Sequence, residues 1–157
     1  MDKINSDSRL FNIETQIILT QTDTTVGFLS QNESKLQTIK ARNSTKPFIV
    51  VYKNFTFMKE HGKRVPNSQK NRVRRSHKTT FIVKNTAFRI AQDRVDSSVL
   101  RSLKWNFSTS ANEAGKHFDR NFCEQKADII VENKSSLHEG VSSFLYKINS
   151  RKIKRLR

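Results

Sequence analysis

Three short groups of residues in this chain carry side chains suited to holding an anion. An apolar run, Ile17-Ile18-Leu19, opens into Thr20-Gln21-Thr22-Asp23-Thr24-Thr25-Val26-Gly27, so an apolar element ends in small hydroxyls, one carboxylate and a glycine. Further on, Lys40 and Arg42 bracket a single residue, and Lys46-Pro47 follows. Far downstream stands Phe107-Ser108-Thr109-Ser110-Ala111-Asn112. A nucleotide triphosphate carries about four negative charges, and its site must supply cations, backbone amides or a divalent ion. Lys40 and Arg42 meet that need best here, and they can point the same way only where the helix carrying them has ended or frayed. Ser110 and Asn112, two apart on extended backbone, project to one side and offer a hydroxyl and an amide, which suit phosphate or ribose. Spacing alone leaves plainer readings open: two ordinary surface cations, and a Ser-x-Asn pair that caps a loop.

The elements that must position these groups are legible from hydrophobic period and punctuation. Residues 15–20 predict a strand and 21–30 the site turn and its exit. Asn32 with Glu33 caps a helix over roughly 33–42, with Leu36, Ile39 and Lys40 at helical spacing. Pro47 halts that pattern, and 47–52 is a buried strand. Phe55-Thr56-Phe57-Met58 predicts a short helix. Residues 61–78 hold Lys63, Arg64, Lys70, Arg72, Arg74, Arg75 and Lys78, with Val65 and Val73 their only aliphatics, and predict an exposed basic loop or a weakly ordered segment. Such a run is either a solvated charge stretch or an RNA contact, since phosphate contacts need dense cations and no special geometry. Strands at 79–83 and 86–90 about Lys84-Asn85 predict a hairpin. A helix over 94–103 follows, then a strand at 105–109 delivering Ser110-Ala111-Asn112, a helix near 117–125, strands at 129–131 and 143–148, and an edge strand in the tail 151–157. Residues 1–13 are a short lead-in. Strands and helices intermix without strict alternation, which predicts an α/β or α+β fold with a twisted open sheet of mixed direction flanked by helices.

At 157 residues the chain predicts a single domain spanning 1–157. It has 30 lysines and arginines against 14 acidic residues, a net charge of +16 and a pI near 10.4, which favours a polyanionic partner or ligand. Hydrophobic residues make up only 34 %, but 11 of them are Phe, so folding leans on aromatic burial. Cys123 is the one cysteine, which excludes an internal disulfide. Neither a leader-like apolar region nor an apolar run of membrane-spanning length is present, so a cytoplasmic protein without a membrane partner is expected. His61 and His77 match no common zinc spacing, and no structural metal is expected.

Taken together, Thr22-Asp23-Thr24-x-x-Gly27, Lys40-x-Arg42, Lys46-Pro47 and Ser110-x-Asn112 resemble the YrdC-like family, the threonylcarbamoyl-AMP synthases acting in tRNA modification. The resemblance covers roughly 15–155. It implies a transferase that joins L-threonine, bicarbonate and ATP, in which the carboxylated amine attacks the α-phosphorus and pyrophosphate leaves. No protein nucleophile is needed, so catalysis is positioning and charge stabilisation, with a magnesium ion. By resemblance, Lys40 and Arg42 are catalytic, and with Lys46, Ser110, Asn112 and Arg155 they line the ATP side. Thr22, Thr24, Arg89, Ser108 and Ser143 contact threonine, Arg89 as the carboxylate clamp. The implied partners are tRNA or other RNA and a downstream tRNA-modifying transferase complex. The chain departs from the family where Arg75-Ser76-His77-Lys78 replaces Trp-Pro-Gly-Pro, where Ala91 stands for a proline and where Val26 stands for a tyrosine, so the resemblance is to a compact, divergent member. The rival expectation is a non-catalytic RNA-binding domain of the same fold, which +16 and the basic stretch favour.

Overall fold

The computed structural model describes residues 12–41, 47–90 and 103–157. Arg42, Lys46, most of the lead-in and all but the last residue of the predicted helix over 94–103 lie outside the described residues. In chain order the elements are β1 (Ile18–Gln21), β2 (Val26–Ser30), α1 (Glu33–Lys40), β3 (Ile49–Tyr52), α2 (Phe55–Glu60), α3 (Lys70–Arg75), β4 (Thr79–Val83), β5 (Thr86–Ile90), β6 (Trp105–Ser110), α4 (Arg120–Lys126), β7 (Ile129–Val131), β8 (Phe144–Ile148) and β9 (Ile153–Arg155), with short 3-10 turns at Ile13–Thr15 and Asn67–Gln69. The nine described strands form one sheet in the order β7-β1-β2-β6-β3-β5-β4-β8-β9. Three neighbouring pairs, β1 with β7, β3 with β5 and β4 with β8, are parallel, and the other five are antiparallel. This is the mixed α/β sheet that the sequence predicts.

Local chemistry sets the boundaries. The Asn32 side chain accepts the Lys35 N–H and starts α1, and Ala41 ends it in the left-handed region at φ 44°, its N–H turned back to the Gln37 and Thr38 carbonyls. Lys40 is therefore the last helical residue, two short of the predicted end. Lys84 and Asn85 both have positive φ, 48° and 62°, the requirement of a two-residue turn whose twist matches its strands. Asp119 caps α4 by accepting the Phe122 N–H.

Two expectations are corrected. The exit of the first turn is itself a strand, β2, because Val26–Ser30 pairs with β1 on one side and β6 on the other. All five of its residues are buried, which erases the alternation that would have marked it. The middle of residues 61–78 is not a loop: Asn67–Gln69 and α3 give 67–75 helical order, and the only two aliphatics of the stretch, Val65 and Val73, are both buried. Two apolar anchors suffice because Val65 and Val73 join Phe55, Met58, Phe81 and Phe88 in one packed cluster.

Strand alternation divides the sheet into unlike faces. Tyr52, Phe81, Phe88 and Ile148 pack under α2 and α3, while Leu19, Phe28, Leu36 and Cys123 form the core with α1 and α4. Phe107 and Trp105, two apart on β6, each join one of these clusters and meet edge to face, with centroids 5.4 Å apart. All four described helices therefore cover the same face. The residues of opposite parity, Gly27, Ile49, Val51, Arg89 and Ser108, turn to the other face, where a cavity lies. A smaller cluster of Ile18, Leu29 and Leu103 fills one end of that face. None of the described helices is long and apolar enough to cross a membrane.

Candidate active site

The cavity, about 300 Å³, is lined on the open sheet face by the first turn, by β3, β5 and β6, and by the chain around Ser143. Its most constrained group is Arg89. The side chain is buried on β5; Nη2 donates to Asp23 Oδ1 at 2.6 Å and Nη1 to Thr24 Oγ1 at 3.0 Å. Burial pulls the Arg89 pKa down and the Asp23 carboxylate opposes that shift, so the ion pair keeps the guanidinium charged in a poorly solvated place. Arg89 Nε and Asp23 Oδ2 have no hydrogen-bond partner among the described residues. A cation fixed by one carboxylate oxygen, with donor capacity left over, can receive a second carboxylate.

The first turn is built to hold that pair. Thr22 Oγ1 donates to the Thr25 carbonyl at 2.6 Å and accepts the Thr24 and Thr25 N–H groups, both at 3.3 Å. Its one proton is thus spent on the turn. Thr24 Oγ1 stays within 3.2 Å of Thr22 Oγ1 and faces Arg89. Gly140 lies against the turn, its N–H donating to Thr25 Oγ1 at 3.0 Å, and a Cβ there would stand 1.9 Å from the Thr24 carbonyl oxygen. On the cavity floor, a Cβ on Gly27 would meet the Thr109 oxygen at 3.1 Å and Thr22 Cγ2 at 3.2 Å. Ser143 is buried and shares a 2.8 Å hydrogen bond with Thr80.

At one end of β6 a second constellation forms. Lys40, buried although it ends a helix, donates from Nζ to the Ser110 carbonyl at 3.0 Å and to the Asn112 carbonyl and Oδ1, both at 2.7 Å. Ser110 Oγ donates to the same Asn112 Oδ1 at 2.8 Å. Lysine, serine and asparagine, 72 positions apart at their extremes, are one hydrogen-bonded unit.

Of the residues singled out from sequence, Thr22, Thr24, Arg89, Ser108, Ser110 and Ser143 share the cavity, and Lys40 and Asn112 adjoin it through Ser110. Arg155 does not line it: its guanidinium lies over the Phe144 ring at 5.1 Å. Arg157 lines the cavity instead, its Nε donating to the Ser143 carbonyl at 3.1 Å. The physical reason is a bulge, in which Leu156 and Arg157 both donate to the Leu145 carbonyl, so two tail residues oppose one of β8 and the alternation shifts. Sequence reading also left out Asp23 as a site residue, although a buried arginine needs a counter-charge and Asp23 is the one carboxylate of the first turn. No group of three or more His, Cys, Asp or Glu able to hold a metal is found among the described residues. With Asp23 committed to Arg89, the described side chains do not form a carboxylate site that fits a magnesium ion.

No protein-family model matches the chain, and no curated protein sequence does either. Solved structures do. P. abyssi Sua5 complexed with L-threonine is 17 % identical at a TM-score of 0.70, the match covering 92 % of this chain and 51 % of that one, so the chain spans about half the length of that protein. E. coli YciO is 12 % identical at a TM-score of 0.69, with 92 % and 83 % covered. Full-length HypF in its phosphate- and nucleotide-bound form is 12 % identical at 0.70, with 90 % and 22 % covered. At such identities the likeness is one of architecture, and the architecture of this chain is the YrdC-like fold.

Proposed function

We propose that the chain is an L-threonylcarbamoyladenylate synthase, making threonylcarbamoyl-AMP and pyrophosphate from L-threonine, bicarbonate and ATP for threonylcarbamoyladenosine in tRNA. The observation that carries this reading is the meeting of two polar constellations beside one cavity: the buried Arg89 clamp with its threonine-rich turn, and the Lys40-Ser110-Asn112 unit, whose hydrogen bonds a bound nucleotide would have to exchange. The Sua5 structure holding L-threonine and the HypF structure holding nucleotide, both of this architecture, support it.

In this reading Arg89, fixed by Asp23, takes the threonine carboxylate, while Thr24, Ser108 and Ser143 bound the amino acid. Lys40, Arg42, Lys46, Ser110, Asn112 and Arg157, the last in the place expected of Arg155, hold the triphosphate. The threonine amine first attacks the bicarbonate carbon, one C–O bond breaks and water leaves with the amine proton, giving the carbamate. The resulting carbamate oxygen then attacks the α-phosphorus, and the bond to pyrophosphate breaks. Cations placed beforehand stabilise the charge that builds on the phosphate oxygens. Expected partners are small-molecule substrates, RNA and a downstream transferase.

Pyrophosphate release from purified protein supplied with ATP, threonine and bicarbonate tests the proposal. Release that needs all three, and that is lost in Lys40→Ala, supports it; release indifferent to threonine, or none with the folded protein, refutes it. A non-catalytic RNA-binding domain is the second reading, favoured by the charge of +16, and it alone predicts silence in this assay together with steeply salt-dependent RNA binding.

A further inference from the structure

Asp23 is engaged on one side only. Its Oδ1 accepts from Arg89 Nη2 at 2.6 Å, while Oδ2 is buried and has no hydrogen-bond partner among the described residues. Arg89 is likewise part used, since its buried Nε has no partner there either. A buried carboxylate oxygen without a donor is costly, more so than a neutral group in the same state. The neighbouring hydroxyls do not relieve it. The Thr22 proton goes to the Thr25 carbonyl, which leaves the Thr24 proton for the 3.2 Å contact with Thr22 Oγ1. Thr24 Oγ1 in turn accepts from Arg89 Nη1. Both threonine protons are thus committed inside the turn, and a donor for Asp23 Oδ2 has to come from whatever enters the cavity.

The charges around the cavity narrow what that is. Its described lining includes two cations, Arg89 and Arg157, and no carboxylate. Asp23 reaches the margin through Arg89, between Thr22 and Thr24, which do line it. At short range the charges of Asp23 and Arg89 cancel. A molecule carrying only a carboxylate gains at Arg89 and loses to Asp23, because two like charges then sit close together where water is scarce. A molecule carrying only a cation meets the reverse at Arg89. A carboxylate and an ammonium on one carbon satisfy both halves of the pair at once. A single carboxylate oxygen also suits an ammonium better than a divalent ion, which takes several oxygen ligands.

We infer that Asp23 Oδ2 receives the α-ammonium group of the amino acid whose carboxylate lies on Arg89, so that the Asp23–Arg89 pair selects zwitterionic α-amino acids over simple carboxylates. This rests on the reading that an amino acid occupies the cavity, and adds to it the residue that touches the amine. Asp23 then has two duties: Oδ1 steadies the guanidinium and Oδ2 orients the nitrogen that is to attack.

The test is calorimetric titration of the full-length protein with L-threonine and with (R)-3-hydroxybutanoate, the same skeleton without the amine. Wild type should bind threonine more than about tenfold tighter, the scale of one charge-assisted hydrogen bond. In Asp23→Asn that preference should shrink below about threefold, while (R)-3-hydroxybutanoate binds as well as to wild type or better, because the like charge is gone. Equal losses of both ligands in the folded variant, or a preference for threonine that survives the substitution, overturns the inference and leaves Asp23 a prop for Arg89. Equal binding of the two ligands by wild type overturns it without any variant, so the test stands even if circular dichroism shows Asp23→Asn unfolded. Wild type that binds neither ligand refutes the amino-acid reading of the cavity, and the inference falls with it.

Discussion

A buried arginine held by one aspartate is the most constrained group of the site. Removing one partner of a buried ion pair typically costs about 3–5 kcal/mol, because the survivor is left charged and poorly solvated. Asp23→Ala should therefore lower stability by that order, read as a drop in melting temperature, and loosen the guanidinium. Arg89→Lys keeps the charge but loses the fork that spans Asp23 and Thr24, so threonine affinity should fall in calorimetry while ATP affinity holds. Equal loss of both ligands would mean that Arg89 only props the fold. Gly140→Ala places a methyl against the Thr24 carbonyl and should displace the first turn, with a stability loss of about 1–3 kcal/mol in urea titration. At this scale the sequence was legible where residue type and local motif coincide, as in the threonine turn and Ser110-x-Asn112. It was not legible where partners come from afar: the Asp23 counter-charge and the entry of Arg157 through a bulge depend on contacts 66 and 14 positions apart.

Among the elements, α3 shows why a charge run was read as a loop. Sequence period gives weight to repeated apolar positions, and a six-residue helix with Val73 as its sole anchor gives no period to find. If α3 is docked as described, Val73→Ala removes two buried carbons and should cost about 1–2 kcal/mol at ~0.8 per CH2; a value near zero in denaturant titration would restore the loop. Strand β2 was missed for the opposite reason, since burial on both faces removes alternation. The hairpin of β4 and β5, with Lys84-Asn85 at positive φ, was readable because its turn chemistry is local. At α4, Arg120 donates to Glu132 at 3.0 and 2.6 Å and to Glu124 at 2.7 Å. Those bonds hold the Glu132 pKa below the ordinary carboxylate range. A depressed carboxylate pKa gives stability that is present above its unfolded value, near 4.3, and lost as pH falls below it. Glu132→Gln should accordingly melt slightly below wild type at neutral pH, and the gap should narrow as pH falls below the ordinary carboxylate range.

The whole molecule separates two tasks by position. Helices cover one sheet face and supply the core, and the opposite face carries polar side chains around a cavity. The mixed sheet could be read in advance because every strand except β2 announces itself locally. Its two-faced character needed the pairing, since Ser108 and Phe107 acquire opposite meanings only once β6 lies between β2 and β3. The central claim is that the open face holds an amino acid and a triphosphate together. The most direct measurement is a crystal structure with L-threonine and a non-hydrolysable ATP analogue. The account predicts the threonine carboxylate on Arg89 and the phosphates beside Lys40, Ser110 and Asn112; a nucleotide bound elsewhere, or a cavity that takes neither molecule, would contradict it.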